Sequence, residues 1–264
     1  MSILIVAEAG SNHMGDLKTA LNLIDTAAEA GADCVKFQMF RADSLYEPGP
    51  LRESARQWEL NAAWLPILSG YATGCGIEFM CSAFSKDTID MVDPYVKRHK
   101  IASLEASDSE LVLHAASKGK PLIISTGTLN EREIFEIDQM LYGMNIDLTF
   151  LHCVAAYPAP LEDANMSAMD PGVGFSDHST HPTLLPVMAV RGGATVIEKH
   201  LRLYETPKNA PDFPHSLVPH DFREMVAQVR LAESAMGDGM KRPMASERAL
   251  MYLKRKPGKL RGEA

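Results

Sequence analysis

Eight short apolar, β-branched runs, each followed by a longer segment with helical periodicity, leave this chain few folds to choose from. The runs read as strands at "ILIVAEAG" (3–10), "ADCVKFQ" (32–38), "EFMCSA" (78–83), "HKIAS" (99–103), "PLIIST" (121–126), "LTFLHCV" (148–154), "VGFSDH" (173–178) and "TVIEKHL" (195–201). After the first, "DLKTALNLIDTAAEAGA" sets Leu17, Ala20, Leu21, Ile24 and Ala28 at helical spacing until Gly31 stops the helix, with Asp16 as its N-cap. Further helices are expected to start near Gln57, Lys86, Ser109, Asn130, Thr183 and Pro219. This is the pattern of repeated βα units rather than of hairpins. Eight such units in 264 residues match a single-domain α/β fold, a (β/α)8 TIM barrel over 1–240. The alternative is a doubly wound open sheet. The basic stretch at 241–264, ending "LKRKPGKLRGEA", reads as a frayed C-terminal tail or a linker stub.

Hydrophobic residues make up 46% of the chain, enough to bury one large core. A formal net charge of −8 argues against a general nucleic-acid binder, so any anionic ligand must be held by a local basic pocket. No window approaches the roughly 18 apolar residues of a membrane span, and "MSILIVAEAG" lacks the basic start and the apolar length of a signal peptide. Cys34, Cys75, Cys81 and Cys153 fall mostly inside apolar runs without metal-type CxxC spacing, and read as reduced, buried thiols of a cytoplasmic protein.

A barrel's interior is normally filled with Val, Ile and Leu, and its active site is assembled from strand ends at one face. Here nearly every strand ends in a polar group: Glu8, Lys36 with Gln38, Ser82, Lys100 with Ser103, Ser125 with Thr126, His152 followed by Tyr157, Asp177 with His178, and Glu198 with His200. Side chains two apart share a face of a strand, so Lys36 pairs with Gln38 and Glu198 with His200, while Lys199 faces the other way. His178 and His200, on neighbouring strands with carboxylates beside them, suit a divalent metal such as Mn²⁺, Zn²⁺ or Fe²⁺ with positions left open for substrate. The alternative is two histidines hydrogen-bonded in a polar barrel mouth.

Lys36 and Lys100, with Ser82, Ser103, Ser125 and the "STGT" turn at 125–128, offer cationic and hydroxyl donors to a small phosphate or carboxylate. A Schiff base on either lysine, or lysines snorkelling to solvent, are the competing readings. In "AEAGSNHMGD", Asn12 and Gly15 fit turn chemistry as well as a ligand role. Two connections are too long for plain turns, "MFRADSLYEPGPLRESA" after the second strand and "RLYETPKNAPDFPHSLVPH" after the eighth, and both are candidate substrate-covering loops. Asp212 lies in the second of them; His215 and His220 have no comparable support.

Taken together and in order, "IVAEAGSNHMGD", "GADCVKFQ", "LHCVAAYPAPLED", "GFSDHS" and "VIEKH" closely resemble the sialic acid synthase (N-acetylneuraminate or nonulosonic acid synthase) family, over residues 3 to about 235. The resemblance implies a (β/α)8 barrel that condenses phosphoenolpyruvate with an N-acetylmannosamine-like amino-sugar aldehyde, giving a 2-keto-3-deoxy nonulosonic acid and phosphate. It implies His178 and His200 as Mn²⁺ ligands, and Lys36, Ser82, Lys100, Ser103, Ser125 and Ser176 as the phosphoenolpyruvate pocket, with Ser82 in place of the family's threonine. Glu8, Gln38, Tyr157, Glu198 and Asp212 are implied to hold the sugar or handle protons, with Glu8, Glu198 and Tyr157 catalytic.

Two departures bear on substrate choice. Ala155 stands where the family commonly has a polar residue, often Asn. Typical members also carry a small antifreeze-like domain after the barrel and dimerise partly through it. For this chain, a homodimer is expected by analogy. Either a separate antifreeze-like protein or the loops at 39–56 and 202–218 alone are expected to complete the site, or the sugar acceptor is expected to differ. The other functions consistent with the residues are a pyruvate-type aldolase on the same barrel and a non-catalytic sugar- or phosphate-binding barrel.

Overall fold

The computed structural model describes residues 2–255, 257, 258 and 261. Its eight parallel strands follow one another around a closed barrel in sequence order: β1 (Leu4–Gly10), β2 (Cys34–Met39), β3 (Glu78–Ala83), β4 (His99–Ile101), β5 (Leu122–Ser125), β6 (Leu148–Cys153), β7 (Gly174–Asp177) and β8 (Val196–His200), with β8 pairing back onto β1. Closure decides against the open sheet. Each strand falls within a residue or two of the run that announces it.

The helices are α1 (Leu17–Glu29), α2 (Ala42–Leu45), α3 (Pro50–Arg56), α4 (Leu65–Gly74), α5 (Lys86–Val92), α6 (Ser109–Ala116), α7 (Glu131–Leu141), α8 (Leu184–Gly192) and α9 (Pro219–Met236). Asp16 caps α1 by accepting from Thr19 N at 2.7 Å, as its position before the apolar stripe implies. The helix expected near Gln57 divides instead. Pro50 at the first position starts α3, Gln57 caps its C-terminus, and Asn61 accepts from Ala63 N to open a single 3-10 turn before α4. The β2–β3 connection is therefore mostly helical rather than an open flap. The β6–β7 crossover has only two 3-10 turns, Leu161–Ala164 and Met166–Ala168. In the tail, Ala245–Leu253 forms an exposed 3-10 run; residues 256, 259, 260 and 262–264 lie outside the described residues.

Two apolar layers hold the barrel. The larger lies between strands and helices, where Ile5, Ala7, Val35, Phe37, Phe79, Ile124 and Ile197 face outward. The smaller plugs the barrel's interior: Val6, Cys34, Met80, Ile123, Leu151 and Val196, one from each of six strands. Two residues further along each of those strands, on the same inward face, stand Glu8, Lys36, Ser82, Ser125, Cys153 and Glu198, all buried. The interior thus changes from hydrocarbon to charge within one strand repeat, about 7 Å. Among the described residues, no helix is long and apolar enough to cross a membrane.

Candidate active site

A cavity of about 540 Å³ opens at the C-terminal mouth of the barrel, within the size range of small-molecule sites. Of the residues singled out from the sequence, Glu8, Lys36, Gln38, Ser82, Lys100, Ser103, Ser125, Tyr157, Ser176, His178, Glu198, His200 and Asp212 line it.

One wall is cationic and hydroxylic. Lys36 Nζ sits 2.8 Å from Glu8 Oε2 and 3.4 Å from Glu198 Oε2, and donates to Ser82 Oγ at 2.9 Å. Lys100 Nζ donates to Ser125 Oγ at 2.8 Å and lies 3.8 Å from Glu198 Oε1, which accepts from Ser176 Oγ at 3.0 Å. Ser103 Oγ accepts from Gly127 N at 3.1 Å, and a Cβ on Gly127 would sit 2.9 Å from that hydroxyl, so glycine is needed for the approach. Gln38 Nε2 donates to Glu8 Oε1 at 2.9 Å.

Two buried carboxylates in this network have opposite electrostatic fates. Burial, reinforced by the Glu198 and Asp212 charges, pushes Glu8 up to about 7 although Lys36 opposes it. Burial also acts on Glu198, but Lys100, Lys36 and His178 outweigh it and hold Glu198 down at about 2. For Lys36, burial acts against the charged form, but Glu198 and Glu8 raise it above the ordinary lysine value. An ammonium kept protonated is a poor Schiff-base nucleophile, which disfavours Lys36 in an aldolase role. Burial leaves Lys100 below the ordinary value in spite of Glu198.

The facing wall is made of imidazoles. His178 Nδ1 donates to Val154 O at 2.7 Å, and since a carbonyl only accepts, Nε2 keeps its lone pair. The His178 and His200 ring centres are 5.6 Å apart, and the Tyr157 ring covers His178 at 4.4 Å. A third imidazole, His215, lies 4.4 Å from His200 and 5.1 Å from Tyr157. Its sequence position in an irregular loop gave no periodic signal, so only tertiary structure reveals it. The loop is pinned by Leu217 N donating to His200 O, Arg202 N to Leu217 O, Asn12 Nδ2 to Ser216 Oγ and Ser11 N to Asp212 Oδ2. Gly10, at φ +51°, makes room for Asp212, whose carboxylate a Cβ there would strike.

Burial lowers all three imidazoles, His215 to about 3, and for His200 the neighbouring His215 and His178 add to the effect. Neutral imidazoles are metal ligands. His200 Nδ1 and both His215 nitrogens are buried without hydrogen-bond partners, and ligand atoms of His200, Asp212 and His215 lie within 4.8 Å of one another. Unpaired buried nitrogens around one carboxylate fit a divalent cation.

Other polar strand ends do not join the cavity. Asp177 and Lys199 form an ion pair of 2.8 Å on the outer side of β7 and β8, with Lys199 also donating to Ser179 O. The carboxylate beside His178 in sequence is therefore structural. His152 turns outward to Ala164 O and stacks on Phe175, and Thr126 donates to Leu151 O. Asn12 is a loop clamp rather than a lining residue, His13 packs against Phe37 and Trp64, and His220 is exposed.

Fold and site together define a (β/α)8 barrel whose C-terminal mouth carries buried lysines and hydroxyls together with a cluster of imidazoles. The chain belongs to the NeuB family, whose model matches residues 23–241. It is 39% identical to the N,N'-diacetyllegionaminic acid synthase of Legionella pneumophila, covering 99% of this chain and 81% of that one. It is 38% identical to a pseudaminic acid synthase of Campylobacter jejuni, covering 90% of this chain and 76% of that one. The crystal structure of an N-acetylneuraminic acid synthetase from Leptospira borgpetersenii superposes with a TM-score of 0.89 at 30% identity, covering 95% of this chain and 90% of that chain.

Proposed function

We propose that this barrel condenses phosphoenolpyruvate with an amino-sugar aldehyde, giving a 2-keto-3-deoxy nonulosonic acid and phosphate, in the cytoplasm. The observation that carries the reading is one cavity in which a lysine–hydroxyl wall faces an imidazole wall with Glu8 and Glu198 between them. The relatives' names point to the same chemistry. The four unpaired cysteines suit a reducing compartment.

Lys36 and Lys100, with Ser82, Ser103, Ser125 and Ser176, hold the phosphate and carboxylate of phosphoenolpyruvate. Gln38 and Tyr157 hold the sugar. C3 of phosphoenolpyruvate forms a bond to the aldehyde carbon, whose oxygen takes a proton; water then adds at C2 and gives up a proton, and the bond from C2 to the phosphate oxygen breaks as the C2 hydroxyl loses its proton to become the ketone and phosphate departs. Glu8 carries a proton near neutrality and is the group that moves one, while Glu198 stays ionised and orients both lysines. His178 and His200 hold the divalent cation, proposed as Mn²⁺, which when bound supplies Lewis-acid polarisation of the aldehyde oxygen. Ala155, lacking a polar side chain, alters how substrate is anchored.

The test is phosphate release from phosphoenolpyruvate, with and without Mn²⁺, against N-acetylmannosamine, its 6-phosphate, diamino sugars and shorter aldoses. Release with an amino-sugar acceptor, abolished by chelator, is expected. Absence of release with every acceptor in the presence of Mn²⁺ overturns the reading.

A further inference from the structure

We propose that His215 and Asp212 join His200 as ligands of the divalent cation, the ligand atoms of these three residues lying within 4.8 Å of one another. The inference rests on the synthase reading only for the presence of a resident cation.

The geometry is set by the β8 return loop, not by strand parity. Leu217 N donates to His200 O at 2.9 Å, which folds the loop back so that His215 arrives beside His200. Two imidazoles on one ion at the usual metal–nitrogen distance of about 2.1 Å have ring centres roughly 5 Å apart. Here His200–His215 is 4.4 Å, His178–His200 is 5.6 Å and His178–His215 is 6.2 Å. The Asp212 carboxylate lies between two of the rings, Oδ2 at 3.9 Å from His200 Nδ1 and Oδ1 at 3.9 Å from His215 Nε2. Those distances are too long for hydrogen bonds, yet suit groups converging on a common point.

His215 is 2% exposed, and neither of its ring nitrogens has a hydrogen-bond partner. A histidine kept only for packing would leave two buried polar atoms unsatisfied, a cost that an apolar ring avoids. Cation binding gives one of those nitrogens a partner. A nitrogen-rich set also shifts preference: imidazole suits Zn²⁺, Co²⁺ and Fe²⁺ better than Mn²⁺, so the third imidazole should matter most for the later metals.

The experiment titrates Co²⁺, followed by visible absorption, and Mn²⁺, followed by loss of the free-ion EPR signal, into the substrate-free protein. Wild type is compared with His215→Gln, His215→Phe and His178→Ala. His215→Phe keeps an aromatic ring against Tyr157 and sacrifices no hydrogen bond, so it should unfold at the same temperature as wild type in chelator. Both His215 variants are expected to bind Co²⁺ at least about tenfold more weakly, with an altered Co²⁺ spectrum and a smaller loss for Mn²⁺. Wild-type affinity and an unchanged Co²⁺ spectrum in a folded His215→Phe protein would overturn the inference, and so would a wild type that binds neither ion. Phosphate release on the same proteins is scored separately. An ion held through His215 without condensation sinks the synthase reading alone, while condensation with an ion that ignores His215 sinks this one alone.

Discussion

Glu8 and Glu198 share Lys36 yet are driven in opposite directions, Glu8 upward by burial and Glu198 downward by its two lysines. The difference is positional: Glu198 has a second lysine and the Ser176 hydroxyl, whereas Glu8 faces Asp212 as well as Glu198. A proton-donating Glu8 loses its proton as pH rises through about 7, so kcat should fall on that alkaline limb. Glu8→Gln should lower kcat by roughly 10²–10⁴ and erase the limb; a pH–rate profile of the variant that keeps it would assign the ionisation elsewhere. Folding is linked with the same sign. Because the folded-state value is raised, the Glu8 contribution to stability is full below about 4.5 and is lost as pH climbs to about 7, so Glu8→Gln should gain stability over wild type at pH 8 relative to pH 5.

On β7 and β8, alternation sends His178, Glu198 and His200 to the cavity, and Asp177 and Lys199 to the outside. There the buried Lys199 ammonium ties Asp177 to the carbonyls of Ser179 and His181, fixing the turn that follows His178. Lys199→Met should cost about 3–5 kcal/mol by stranding a buried carboxylate, seen as a fall in Tm of roughly 10 °C. The double variant Asp177→Leu with Lys199→Met should recover much of that loss, and equal Tm values for the single and double variants would contradict the pairing. These roles were half legible in sequence. Period-2 alternation separates Lys199 from Glu198 and His200, but nothing in "FSDHS" says that Asp177 has a lysine partner across the strand pair.

For the whole molecule, the proposed ion site should couple binding to stability, because its proposed ligands come from the ends of β7 and β8 and from the loop after β8. Mn²⁺ at about 100 times its Kd should stabilise the fold by about 2.7 kcal/mol and raise Tm by roughly 5–10 °C. His178→Ala and His200→Ala should abolish that rise in a thermal melt while keeping the metal-free Tm near its original value; a full Mn²⁺ shift in either would remove it from the ligand set. The eight strands, their order and most of the polar side chains lining the cavity were legible in the sequence, since alternation and strand-end chemistry are local patterns written at fixed spacing; Ser176 was reached only through the family resemblance. The division of the β2–β3 connection into short helices, the outward turn of His152, the burial of the Asp177–Lys199 pair and the arrival of His215 beside His200 emerge with the folded chain alone. Each of those depends on which segments distant in sequence meet, and the loop's path is set by hydrogen bonds to the turn after β1 and to β8 rather than by any period of its own.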